Sequence, residues 1–312
     1  MFYMRTIFLF CAFSYDIYGR TMYMFGDQQA YFEPWLQFKH PAIRQLAFSL
    51  ASPNILKSLP QELIIKHHFN LHRDHIWQKH FQAYLPRLKQ LDQQPEPLEH
   101  FLRQLKSTRL GLRFEMLIWF WLLDHAYHPY RLLGHSIQII DGPKTIGELD
   151  FLILNTETGK TEHWEVALKY YLAEREPSLA SWFGLNRSDT LLRKLNHFTQ
   201  KQFQFEEVSG HLIQERYAIL KGQLYFPLKN WPDSSEPFST WINFSRRFGG
   251  WADYIPQQDY YRLQRQEWLC PDQVQSSNRA LWWTQGLYYS DHASPQFFMY
   301  RLSPLLKTSN NV

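Results

Sequence analysis

Residues 147–172 read GELDFLILNTETGKTEHWEVALKYYL, two strand-like runs around a short polar loop. In the first run Glu148, Asp150, Leu152 and Leu154 share one face, and Leu149, Phe151 and Ile153 the other. The loop NTETGK has the composition of a hairpin connection. The second run places His163, Glu165, Ala167 and Lys169 on one face, with Trp164, Val166 and Leu168 behind. Folded symmetrically about the loop, the hairpin sets Asp150 opposite Glu165. Like charges facing each other across an antiparallel pair are unfavourable unless a positive charge sits between them. A divalent cation supplies that charge, and carboxylate oxygens suit Mg²⁺ or Mn²⁺. Lys169 then stands one pleat beyond Glu165, able to orient a nucleophilic water. The competing reading is a solvated face, because antiparallel sheets often carry charges on their wet side.

Upstream, LGLRFEMLIWFWLLDHAY (Leu110–Tyr127) predicts a strong helix, with Glu115 the only polar residue between Phe114 and Leu123. Such a carboxylate is either a rim residue or one held inside for a purpose. HPYRLLGHSIQII (128–140) supplies a connection and an apolar strand, and DGPKTIG the turn into the hairpin. Downstream, AEREPSLASWFGLNRSDT is a polar loop expected to cover the site, with Asp189 expected to cap the next helix. In that helix, TLLRKLNHFTQKQF, Arg193 and Lys194 are expected exposed. Asn186, Arg187 and Lys194 are the candidates for meeting phosphate, against the alternative of a plain amphipathic helix with a solvated basic side. RYAILKGQLYFP (216–227) then reads as a strand rejoining the sheet.

These segments together resemble the bacterial domain-of-unknown-function family 1853, a branch of the PD-(D/E)XK nuclease-like superfamily. The resemblance is carried by GELDFLI…HWEVALKYYL, SWFGLNRSDTLLRKL (181–195) and ILKGQLYFP (219–227), spanning roughly residues 41–302. It implies a restriction-endonuclease-like α/β core in α-β-β-β-α-β order. It also implies Asp150 and Glu165 as metal ligands and Glu115 as the supporting helix carboxylate. The superfamily's lysine belongs two residues after Glu165, where this chain has Ala167; Lys169 is the nearest substitute, ~7 Å further along the strand.

At 312 residues the chain holds one large domain or a domain with an appendage. Aromatic residues make up 17%, ample for a packed core, and a net charge of +4 is compatible with nucleic acid without arguing for it. Cys11 and Cys270 provide neither a disulfide framework nor a zinc set, which suggests a reducing, cytoplasmic setting. Residues 1–30 are an N-terminal extension outside the resemblance; TIFLFCAF superficially resembles a signal peptide but no small-residue cleavage site follows. An upstream start, with Met22 or Met24 the true one, is the expectation, and a genuine anchor the alternative.

Residues 31–107 read as a helical N-terminal region. Within it, His68, His72 and His75 are expected on one helix face, a polar face near acidic substrate in preference to a metal site. Residues 108–229 form the nuclease-like core. In residues 230–312, six tryptophans from Trp231 to Trp283 stand among Pro, Ser, Asp and Gln. QEWLCPDQ and the run from Ala280 to Pro304 alternate as strands, in an extension that packs on the core or forms a lid. Its aromatics are expected in a core, with base stacking beside Lys229, Arg246 and Arg247 the alternative. No repeat, P-loop, dinucleotide motif or Ser/Cys nucleophile motif occurs. The expected function is metal-dependent phosphodiester hydrolysis on nucleic acid. The alternatives are a catalytically inactive nucleic-acid-binding or adaptor protein on the same fold, and a scaffold.

Overall fold

A computed structural model describes residues 31–174, 178–228, 239–257, 259–272, 282–283, 285–290 and 296–302. The N-terminal extension with Cys11, Met22 and Met24, and also Lys229 and Trp231, lie outside the described residues.

Four helices precede the sheet: α1 (Pro41–Ala51), α2 (Asp74–Gln93), α3 (Glu96–Arg103) and α4 (Leu110–Leu123). Pro41 opens α1 at a position where its missing N–H leaves no bond unmade. From Ala42 to Ala51 that helix is buried throughout. Even Arg44 lies inside, donating to the carbonyls of Phe38, Lys39 and Pro271. No helix among the described residues is long and apolar enough to cross a membrane.

The chain then runs through β1 (Tyr130–Asp141), β2 (Lys144–Asn155), β3 (Lys160–Ala173), β4 (Trp182–Phe183) and α5 (Leu191–Gln200). A separate two-stranded pair, β5 (Glu207–Val208) and β6 (His211–Leu212), precedes β7 (Glu215–Pro227). Strands β8 (Gly249–Ala252), β9 (Tyr261–Arg262), β10 (Gly286–Ser290) and β11 (Gln296–Tyr300) follow. The main sheet is mixed, in the order β1-β2-β3-β7-β8-β11-β10-β9, with β4 on the end of β3. Strands β1, β2 and β3 form an antiparallel meander; β7 joins β3 in parallel after α5. The aromatic-rich C-terminal part therefore extends the sheet beyond β7, through strands parallel and antiparallel to one another.

The two faces of this sheet are both covered, which is why β3 and β7 are buried on successive residues. Helices α1, α2 and α4 pack against Phe151, Trp164 and Ile219, while α5 and β4 pack against Ala167, Tyr171 and Leu220. Where β3 and β7 approach most closely, Lys169 faces Gly222, whose φ of +132° and lack of Cβ accommodate the neighbouring carbonyl.

Two sequence expectations fail here. The histidine-rich segment is not helical until Asp74: residues 52–73 are irregular, with bends, a turn and single bridges at Leu56 and Asn70. Strand β8 pairs only with Tyr225–Pro227 of β7, and Asn70 takes the open edge nearer the start of β7 through bonds with Arg216 and Ala218. His72 consequently stacks on Tyr217 with ring centroids 4.1 Å apart, and His80 bonds the Tyr130 hydroxyl at 3.1 Å. Burial pushes the His72 imidazole down to about 3, so it is a neutral core group and not part of a polar helix face. QEWLCPDQ is likewise no strand: Arg265–Trp268 forms a helical turn closed by reciprocal Gln264 and Glu267 caps.

Candidate active site

The β2–β3 ladder runs from Asn155 opposite Lys160 to Phe151 opposite Trp164, then the strands part. Asp150 and Glu165 are next in that register, as the symmetric hairpin requires. They meet through side chains instead of a backbone rung. Glu165 Oε1 lies 3.4 Å from the Asp150 N–H, and Asp150 Oδ2 accepts from the Val166 N–H at 2.8 Å. On this face Glu165 is fully buried, Asp150 and Lys169 are half-buried, and Glu148 is exposed.

Burial is the largest influence on both carboxyls and raises their pKa above the ordinary range. Repulsion from Glu165 and Glu115 adds to the effect on Asp150. Around Glu165, the Lys194 ammonium and the Asp150 N–H act in the opposite direction. His163, on the same strand face, lies with Nε2 2.7 Å from Glu165 Oε1. Burial depresses the His163 pKa to about 3, so the ring is neutral and its Nε2 shares a single proton with the Glu165 carboxyl. The Gln202 amide donates to Glu165 Oε2, and its Oε1 accepts from Lys194 Nζ at 3.1 Å.

Lys194 thus turns inward, its ammonium 4.0 Å from the Phe198 ring, while Arg193 stays exposed. The expectation that both basic residues are exposed fails because α5 lays this turn over the carboxylate pair. Burial lowers the Lys194 pKa, against the pull of Glu165 and Asp150. The cap of α5 is Thr190, whose hydroxyl accepts from the Arg193 N–H at 3.1 Å. Asp189, expected to cap, instead accepts from Lys169 Nζ at 2.6 Å.

Glu115 sits at the rim, half-buried, facing β1. Its Oε1 accepts from His135 Nε2 at 2.8 Å and from the Ser136 hydroxyl at 3.2 Å. His135 is held by stacking on Trp119, 4.0 Å away. The β1–β2 register, with His135 opposite Phe151 and Ile137 opposite Leu149, sets Ser136 across from Asp150. Ser136 has φ +48°, a local departure from extended backbone that accompanies this polar crossing.

Glu115, Asp150, Lys169, Asn186, Asp189 and Lys194 all border one cleft of about 470 Å³. Arg187 is not among its lining residues; it donates to Glu174 at 2.7 Å. Asn186 spends its side-chain oxygen on the Ser188 N–H and hydroxyl. Arg246 and Arg247 are buried against Glu33, so the base-stacking alternative for them fails. Sequence reasoning missed Gln202, which carries no local signature, and the roles of His163, His135 and Ser136. Alternation had already put His163 beside Glu165, and only its bond was lacking.

Among the described residues, no three His, Cys, Asp or Glu side chains group closely enough to cage a metal. The acidic donors at this cleft are carboxylate oxygens: Asp150 and Glu115 line it, and Glu165 lies buried behind Asp150. Such a set fits a hard cation that keeps water and phosphate in its shell, as Mg²⁺ does, and not zinc. Asp150 has only Oδ2 engaged, whereas both oxygens of Glu165 are bonded. Asp150 is therefore the better-disposed ligand.

No curated protein and no solved structure matches the chain. A family model does, over residues 44–296, and its description is Domain of unknown function (DUF1853). Because the match spans both the cleft and the sheet that builds it, the chain belongs to this family.

Proposed function

We propose that this chain is a metal-dependent phosphodiesterase acting on nucleic acid, built on a restriction-endonuclease-like core. The order α4-β1-β2-β3-α5-β7, with the meander followed by a parallel strand, supports that core. One observation supports the activity: Asp150 lines the cleft with the buried Glu165 adjacent behind it, and Lys194 is the cation acting on both.

Asp150 is the principal metal ligand, with Glu165 and Glu115 in support. When bound, Mg²⁺ or Mn²⁺ polarises the phosphate and acidifies its bound water. Lys194 neutralises charge developing on the phosphoryl oxygens, a role favoured by its dehydrated setting. It takes over from the lysine missing at Ala167, which borders the same cleft. Lys169 is tied to Asp189 and serves to hold the covering loop. Gln202 and His163 fix the Glu165 carboxyl, and His135 with Ser136 fixes Glu115.

A second reading, a nucleic-acid-binding protein that does not cleave, is favoured by the saturated bonding of Glu165. Incubation with labelled single- and double-stranded DNA and RNA, with Mg²⁺ or Mn²⁺, separates the two. Cleavage abolished by EDTA and by Asp150→Ala, in a protein shown to be folded, is the expected result. Salt-sensitive binding without cleavage by the wild type would install the second reading.

A further inference from the structure

Beside the carboxylate cleft, α5 presents a second concavity of about 530 Å³, bordered by Arg193, Asn196, His197, Gln200 and Lys201. Asp189 and Lys194 border both concavities, so the groove adjoins the cleft. Arg193, His197 and Lys201 recur every four residues and are exposed, forming a row along α5 and its C-cap with a cation at each end. Burial, then the charges of Lys194, Arg193 and Lys201, depress His197, so it stands in the row as a neutral imidazole. Asp189, the acid on the shared border, is taken by Lys169. Two exposed cations with a neutral imidazole between them are suited to successive phosphates of a polyanionic strand.

The cleft also has a second basic border. Arg109 and Arg265 line it, both exposed, and the Arg265 guanidinium lies 4.5 Å from the Trp268 ring. Tyr170 braces Trp268 from beneath, donating to its carbonyl at 2.6 Å. An exposed guanidinium plane stacked on an indole is a platform for an unpaired base. The cleft lies within the ~300–1,000 Å³ range of small-ligand pockets. It therefore accommodates a nucleotide drawn out of a helix more readily than a paired, stacked one.

Resting on the proposed nucleic-acid reading of this cleft, we propose that its substrate is a single strand. Phosphates of that strand follow Arg193, His197 and Lys201 along α5, and one unpaired base stacks on the Arg265–Trp268 plate. The row fixes the path of the backbone over the carboxylates; the plate fixes which phosphodiester stops there.

Binding measured in EDTA keeps this inference separate from cleavage. Fluorescence anisotropy with labelled 20-nucleotide single-stranded DNA, single-stranded RNA and duplex DNA is run across a NaCl series. The single strands are expected to bind roughly tenfold or more tighter than duplex, the RNA and DNA arms identifying the sugar. Arg193→Gln with Lys201→Gln is expected to lower the slope of log K against log salt by about 1.4, two phosphates' worth. Trp268→Leu is expected to weaken single-strand binding about tenfold while leaving the slope unchanged. Arg265→Ala, at an exposed position, gives the same plate a variant that leaves the packing intact, and melting curves verify all three proteins. Duplex binding equal to or tighter than single-strand binding, or an unchanged slope in the charge variant, overturns the inference. Duplex-specific cleavage overturns it and leaves the hydrolysis reading standing. Single-strand preference without cleavage under added metal does the reverse.

Discussion

At the scale of single residues, the Asp150–Glu165 pair makes a prediction about pH. Both carboxyls have raised pKa values in the folded chain, Glu165 near 8, because burial disfavours their charged forms. In the unfolded chain they titrate near ~4. The folded state therefore binds these protons more tightly, and their contribution to stability is complete below ~4 and lost as pH rises through the folded pKa. His163 has the opposite sign, since its depressed pKa removes stability as pH falls below its unfolded value of ~6.5. A comparison of wild type with Glu165→Gln isolates the carboxyl. The variant is expected to gain in Tm relative to wild type between pH 5 and pH 8, read by thermal melts at matched ionic strength; a constant difference would mean Glu165 is already ionised at pH 5. Metal binding displaces the same protons. Mn²⁺ should accordingly raise the wild-type Tm more at pH 8 than at pH 6, with the rise lost in Asp150→Asn.

At the scale of elements, the central hairpin was legible because its charges break an otherwise apolar alternation, and symmetric folding about NTETGK sets one register. The helix bearing Glu115, the strand at 216–227 and the α5 helix were legible from periodicity. The caps and the histidines were not. Asp189 and Thr190 are adjacent, both are good caps, and only the Lys169 partner decides between them. His72 belongs to an irregular segment whose placement depends on how far β8 covers β7, which local spacing does not encode. The β3–β7 pairing offers a sharp test of element contact. A Cβ on Gly222 would lie 1.9 Å from the Lys169 carbonyl oxygen, at a backbone angle that disfavours side chains. Gly222→Ala is expected to cost about 3 kcal/mol or more in urea unfolding. Thr190→Ala, which removes one cap bond, should cost about 1 kcal/mol. Because α5 also carries Lys194, the cap variant should weaken whatever the cleft does without dissolving the sheet.

At the scale of the whole molecule, charge is sorted by what lies opposite it. Arg109, Lys169, Lys194 and Arg265 border the open cleft, whereas Arg246 and Arg247, equally basic in sequence, face inward to Glu33. Arg247 donates to Glu33 at 2.8 Å, and Arg246 donates to Glu33, the Gly222 carbonyl and the Gln223 side chain. Glu33 and Arg246 are 213 residues apart, so no window of sequence shows the bond. All three side chains are at least nine-tenths buried, which makes the cluster a clasp joining the N-terminal segment, the middle strand β7 and the C-terminal strands. Removing one partner of such a buried set leaves dehydrated charge behind and typically costs about 3–5 kcal/mol. Glu33→Gln keeps the shape and some hydrogen bonding while leaving two buried guanidiniums without their counterion. It is expected to lower Tm by several degrees in a single cooperative transition, since the clasp ties the added strands into the same sheet. Two separated transitions in calorimetry would show instead that the strands beyond β7 melt as a unit of their own. The cleft is lined from both sides of that boundary, by Lys169 of β3 and by Trp268 of the helical turn after β9. Loss of the clasp should therefore also loosen the stacking plate, visible as weaker oligonucleotide binding well below the melting temperature.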